Sequence, residues 1–317
     1  MGGLHHSVAI AFGESGTIRE KGYYKTTDGK RVIRKTKDGH RHILALHEIK
    51  RHCKEAGYPW MDQNYLAKNG QPYALIDSEH YVMTDLIHYR EADFADPMEF
   101  LKVVEATAYW HKAARNIKFS KEAALYDSAG PLTEIIQEQK EHFENIRKRI
   151  RKQSKMSDFD VVFLKHYPEY QERITKAQKL LEGTGYLKLF SEAKRKNHIC
   201  HNNLKEDCLR VYGDWVYITR LEQATVDYQL TDLSNLIHRR EKEHKDLKRS
   251  EIVEAYNKVL PLERDDEVIL EAMLLYPSAF IKIVNEYYQK KRSWTPASMM
   301  NKLREALKTA RQGEEIT

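Results

Sequence analysis

The segment His201-Asn202-Asn203-Leu204-Lys205-Glu206-Asp207-Cys208, with Ile218-Thr219-Arg220-Leu221-Glu222 after a short gap, has the frame of a phosphoryl-transfer loop. In such a loop an Asp two residues after the His orients and deprotonates the acceptor hydroxyl. An Asn five residues later holds a metal, and a second Asp beyond a hairpin binds the Mg²⁺ that bridges the phosphates. Laid on that frame, the base position is Asn203, an amide that accepts no proton at neutral pH. The metal-binding Asn position is Cys208, a poor partner for a hard cation, and the principal Mg²⁺ position is Arg220. Mg²⁺ requires oxygen ligands, whereas a guanidinium offers only donors and keeps its charge. Glu222 stands where a second acid would fall, and Asp207 and Glu206 lie close enough to the metal position to be presented by a shifted loop. Arg220 in place of a cation, binding nucleotide phosphate directly, is a further way the frame could retain a ligand.

The elements that must position this loop are legible around it. Strand-like runs occur at Val8 to Phe12, Gly22 to Lys25 and Lys30 to Lys35, the last two flanking the turn-forming Asp28-Gly29. Apolar residues at helical spacing run from residue 42 to 56 and stop at Gly57. Two further strand-like runs, Gln71 to Ile76 and His80 to Leu86, complete a small sheet with one helix. From residue 97 the pattern is helical, beginning with Pro97 to Arg115 behind Asp96 as N-cap. Long charged helices are expected over 131–155 and 168–182. The pattern breaks at 197–218, where strands Cys208 to Tyr212 and Trp215 to Thr219 flank Gly213-Asp214, and helices resume near 229. The expected layout is a small N-terminal lobe over 1–86, a connector over 87–95 and a helical lobe over 96–317.

In order and spacing these motifs resemble the aminoglycoside and choline kinase superfamily, and more closely the CotS-type spore coat proteins of endospore-forming bacteria. The corresponding segments in that group run approximately H-G-D-x-H-x-x-N and I-D-F-D. The resemblance extends over Lys68 to Tyr73, Met83 to Phe94, Tyr109 to Ala113, Asp232-Leu233, Tyr276-Pro277, Phe280 and Tyr287 to Trp294. It implies an α+β, protein-kinase-like two-lobe fold with degenerate catalytic positions at His201, Asn203, Cys208, Arg220 and Glu222. It also implies a nucleotide-clamping pair, with Arg34 (or Lys35) on the strand and Glu48 on the helix, although ordinary surface charge explains both residues equally well. The function so implied is a catalytically inactive structural or assembly component of the spore coat, made in the mother-cell cytoplasm and partnered by other coat proteins. The alternative is an active small-molecule phosphotransferase with relocated metal ligands, and only that reading calls for ATP and Mg²⁺.

Composition sets the outer limits. With 41% hydrophobic residues in 317, the chain can pack a sizeable core. No apolar run approaches the ~20 residues of a membrane span. Residues Met1 to His6 show no basic region ahead of an apolar stretch, so no secretory leader is expected. Three cysteines suit a reducing compartment. The 53 basic and 47 acidic residues are interleaved, and the basic run Arg147 to Lys155 follows acidic residues on one helix, so nucleic acid is not an expected partner. Fifteen histidines fall at no zinc spacing, and no metal site is expected. Gly13-Glu14-Ser15-Gly16 is too short to cradle phosphate.

Overall fold

A computed structural model of the chain describes residues 2–243, 247–289 and 295–312. Residues 290–294 of the tail segment noted above lie outside the described residues. In chain order the elements are α1 (Gly2–Ala11), β1 (Thr17–Glu20), β2 (Tyr23–Thr26), β3 (Arg31–Thr36), α2 (His40–Glu55), β4 (Asn64–Tyr65), β5 (Ala74–Ile76), β6 (Glu79–Asp85), β7 (Arg90–Glu91) and α3 (Pro97–Ala113). There follow α4 (Leu132–Arg151), α5 (Asp158–Glu182), α6 (Tyr186–Arg195), β8 (Ile199–Cys200), β9 (Leu209–Tyr212), β10 (Trp215–Ile218), β11 (Thr225–Val226) and α7 (Leu230–Glu243). The chain continues through α8 (Arg249–Asn257), α9 (Arg264–Leu275), α10 (Ser278–Tyr288) and α11 (Pro296–Gln312). This is the expected α+β class, with an antiparallel sheet first and helices predominating after it.

The chain forms two compact units. The first comprises Met1–Ser128, Ala193–Asp232 and Ala255–Leu260, the second Ala129–Glu192, Leu233–Glu254 and Pro261–Thr317. In the first unit β1, β2, β3, β6 and β4 lie side by side, all antiparallel, and β5 also pairs with β6. The β2–β3 turn forms where Asp28-Gly29 predicts it. Gly29 takes a φ of 71°, and the Asp28 carboxylate accepts from Lys30 N and Thr26 Oγ1. The β3–β6 register places Ile33 opposite Met83 on one face and Val32 opposite Thr84 on the other.

The run Val8 to Phe12, expected as a strand, instead belongs to α1 and the turn after it. Val8 and Phe12 are four residues apart, so on a helix both press on the face carrying Tyr24, Ile33, Tyr81 and Met83, while Ile10 turns outward. A strand would have sent Val8, Ile10 and Phe12 to one side together.

α3 begins as expected, with Asp96 accepting from the backbone of Met98 and Glu99 behind Pro97. In the second unit α5 starts ten residues before the expected 168. Ser157 and Asp160 form a reciprocal capping box there, and the helix runs through Pro168. Pro168 forgoes one backbone hydrogen bond, a cost of about 3 kcal/mol. It is offset by an apolar stripe of Phe159, Phe163, Tyr170, Ile174 and Leu181, all buried. Tyr170 stacks on Phe280 with ring centroids 3.7 Å apart, and Phe143 meets Phe163 edge-on.

Candidate functional site

The degenerate loop lies in the first unit between β8 and β9 and is held from below by a single carboxylate. Asp232 is fully buried; its Oδ2 accepts from His201 N at 2.6 Å and its Oδ1 from Asn202 N at 2.8 Å. Asn202 sits in the left-handed region (φ 61°), which an Asn tolerates better than most residues. Asp232 is itself held by His111, whose Nε2 lies 3.2 Å from Oδ2 and whose Nδ1 lies 2.8 Å from Tyr256 Oη. Burial lowers the pKa of His111 despite the opposing pull of Asp232.

The buried His201 ring links the loop to the strand end beyond it. Asn203 N donates to His201 Nδ1 at 3.3 Å, which leaves the proton on Nε2 to be donated to Thr219 O at 2.9 Å. Thr219 answers with its amide and its hydroxyl, both donating to Cys208 O at 2.8 and 3.0 Å. These bonds tie the backbone at 203, 208 and 219 together.

Arg220 adopts φ 61° and ψ 56°. For a long side chain this conformation is strained by roughly 1–3 kcal/mol, and it turns the guanidinium back toward Asp207. Arg220 Nη1 lies 2.6 Å from Asp207 Oδ2, and Lys205 Nζ lies 3.1 Å from the same oxygen. Cys208 Sγ donates to Asp207 Oδ1 at 3.3 Å. Burial opposes the charge on Asp207, but the Lys205 and Cys208 hydrogen bonds and the Arg220 charge outweigh it and hold its pKa below the ordinary value. The Cys208 thiol is pushed up to about 12, by burial first and by Asp207 second, so it stays a protonated donor to Asp207. Asp207, the nearest candidate for a relocated ligand, therefore has both oxygens engaged by the protein's own donors. The Glu222 side chain is exposed, and its carbonyl accepts from His42 Nε2 at 3.0 Å. Among the described residues no three His, Cys, Asp or Glu side chains are grouped to hold a metal ion. The residues present where the sequence frame would place Mg²⁺ do not fit the ion.

A cavity of about 340 Å³ in the same unit is bounded by β3, α2, Asp62, Thr84, Leu221 and Glu222. The expected Arg34–Glu48 pair is not formed within it. Glu48 instead accepts from Ser120 N at 3.0 Å, and Arg34 Nη2 reaches Thr84 Oγ1 at 3.0 Å and Asp62 Oδ2 at 3.4 Å. The helix contributes a cation: Lys50 Nζ lies 3.1 Å from Asp62 Oδ1 and 2.9 Å from Asn64 Oδ1. Two cations thus share one buried carboxylate, and the wall carries an excess of positive charge. Lys50 and Asp62 escaped the sequence reading because a Lys at a helical position reads as solvent-facing and Asp62 lies in an irregular connection. Lys205, within the loop itself, was likewise legible only in three dimensions.

This fold and loop can be set beside known proteins. The profile of the family described as "Spore coat putative kinase YutH" matches residues 4–317. Among solved structures, an aminoglycoside phosphotransferase from Alicyclobacillus acidocaldarius is similar at a TM-score of 0.81 and 15% identity, covering 98% of this chain and 93% of that one. Spectinomycin phosphotransferase in its AMP-bound complex gives a TM-score of 0.65 at 12% identity, covering 98% and 97%. A choline/ethanolamine kinase family protein from Mesorhizobium loti gives 0.53 at 12%, covering 99% and 97%. At these identities the likeness establishes a kinase-like fold and nothing about activity. No curated protein matches the chain.

Proposed function

The chain belongs to the YutH family of spore coat kinase-like proteins, and on that premise we propose that it is a coat component whose phosphotransferase site is silent and whose folded body serves as an assembly scaffold. The observation that carries this reading is Arg220 at the position of the Mg²⁺ carboxylate, paired with Asp207 at 2.6 Å. Replacing a −1 ligand by a +1 group turns attraction for a dication into repulsion, and the nearest carboxylate is already spent on that cation. Asn203, at the base position, supplies no carboxylate to take the acceptor proton. The protein's proposed setting is the mother cell, where it is made, and then the coat, where its partners are other coat proteins.

An active enzyme with relocated ligands would require Asp207 or Glu206 to turn toward the metal, with Glu222 as a second acid, and Asp207 is held away by three donors. The test is phosphoryl transfer from γ-labelled ATP with Mg²⁺, using the full-length protein and a panel of aminoalcohol and aminoglycoside acceptors. The scaffold reading expects no product above the protein-free rate. Metal-dependent turnover that disappears in an Asp207→Asn variant would establish the enzyme instead.

A further inference from the structure

The cavity between β3 and α2 contains a charge that the protein leaves uncompensated. Lys50 is 6% exposed and Asp62 3%, so both stand out of water. Asp62 supplies one negative charge, and Lys50 and Arg34 both draw on it, at 3.1 and 3.4 Å. Asn64, the other partner of Lys50, is neutral. One positive charge is therefore left over where solvent screens it poorly. Donors are left over as well. Only Nη2 of Arg34 is engaged, while Nη1 and Nε have no acceptor among the described residues. Lys37 also lines the cavity, is exposed, and has no acidic partner among the described residues.

The other charged groups do not cancel this surplus. Lys35 is balanced by Glu79 at 2.9 Å. Asp38 and Glu222 line the cavity, but among the described residues neither forms an ion pair with Arg34, Lys37 or Lys50. The same imbalance recurs beside the wall. Lys205 and Arg220 share Asp207, and Leu221, next in sequence to Arg220, lines the cavity.

We propose that this cavity binds the phosphate chain of a ligand directly on Arg34, Lys37 and Lys50, without a divalent ion. Fixed side-chain cations then do the charge neutralisation that Mg²⁺ would otherwise do. An anion is selected because it compensates the buried surplus. Phosphate is selected because guanidinium and ammonium donors together match its several oxygens and its double charge. A chain of two or three phosphates suits a cavity of about 340 Å³ with a second cation pair beside its wall. A phosphate chain already complexed with Mg²⁺ brings a cation against these groups and is disfavoured. This inference rests on the silent-site reading, since it gives a ligand but no reaction to the cavity that the degenerate loop borders.

The test titrates inorganic triphosphate and ATP separately into the full-length protein by calorimetry, in EDTA and again in excess Mg²⁺, with citrate as a tricarboxylate control. Saturable binding in EDTA is expected, at least tenfold weaker in Mg²⁺ and at least tenfold tighter than citrate. Lys37→Glu should weaken it at least tenfold, and Glu222→Gln should tighten it. Both residues are exposed, so both variants should melt as the native protein does. They keep the test decisive if Arg34→Gln, expected to abolish binding, also unfolds the chain. Tighter binding of ATP than of triphosphate would support the proposal and identify the ligand as a nucleotide. Equal binding would support it and identify the phosphate chain alone. No binding in EDTA, binding that requires Mg²⁺, equal affinity for citrate, or native affinity in Lys37→Glu would overturn it. Absence of binding together with absence of phosphoryl transfer would defeat this inference alone, whereas Mg²⁺-dependent turnover would defeat the silent-site reading.

Discussion

The guanidinium of Arg220 and the carboxylate of Asp207 lie 2.6 Å apart, Nη1 to Oδ2, across the hairpin formed by β9 and β10. The backbone of Arg220 enters the left-handed region to make the contact. Thr219, one residue earlier, is fixed to Cys208 by two hydrogen bonds. The pair is therefore a product of the loop's own architecture, and its consequences can be measured one residue at a time.

Arg220→Ala should release Asp207 from its nearest cation, 2.6 Å away. The Asp207 pKa, held low in the native protein by hydrogen bonds and by this charge, should rise toward the ordinary Asp value, which carboxyl-detected NMR titration reads directly. Because Arg220 is 44% exposed, global stability should change by less than about 1 kcal/mol. A loss much larger than this would show that Arg220 holds the fold together, contrary to the local role described here.

Asp232→Ala should be far more damaging. It removes the acceptor for His201 N and Asn202 N and leaves His111 without its buried partner. Unsatisfied buried donors of this kind cost about 1–3 kcal/mol each, so urea unfolding should show a loss of at least about 3 kcal/mol. A loss below 1 kcal/mol would mean that the loop is not anchored there.

Lys50→Met should leave the buried Asp62 carboxylate, among the described residues, with only the longer Arg34 contact at 3.4 Å, at a cost of about 3 kcal/mol. Adding Asp62→Asn removes the stranded charge and should recover most of that loss. A double-mutant cycle by chemical denaturation measures the coupling, and strict additivity would contradict the shared-carboxylate arrangement.

Asp227 supplies a pH test. Burial raises its pKa to about 6 from 3.8, so the folded state binds a proton that the unfolded state has already released. The associated stability is fully present below pH 3.8 and is lost as pH rises through about 6. Asp227→Asn should therefore stabilise the protein at pH 7.5, by up to about 3 kcal/mol, and make little difference below pH 4. Melting curves across that range check it. Equal effects at both ends would remove the assignment.

Much of the fold could be read before the structure because its signals are local. Asp28-Gly29, the Asp96-Pro97 helix start and the Gly213-Asp214 hairpin each act within a few residues, and each appears where its chemistry places it. Where a tertiary partner decides, local reading misled. Val8 and Phe12 needed a sheet face to show themselves as helical, and Pro168 looked like a boundary because the capping box at Ser157 and Asp160 lies well upstream of it. The candidate site divides in the same way. Positions 203, 208 and 220 were singled out by linear spacing alone, whereas the Arg34–Asp62–Lys50 cluster and the Asp207 lock depend on which side chains the fold brings together.

The most direct test of the central claim is divalent-ion binding itself, followed by electron paramagnetic resonance of Mn²⁺ in the presence of a non-hydrolysable ATP analogue. With a fixed cation at position 220, the spectrum of the full-length protein should match that of Mn²⁺ and analogue alone. A stoichiometric protein-bound Mn²⁺ signal that vanishes in Asp207→Asn would contradict the account.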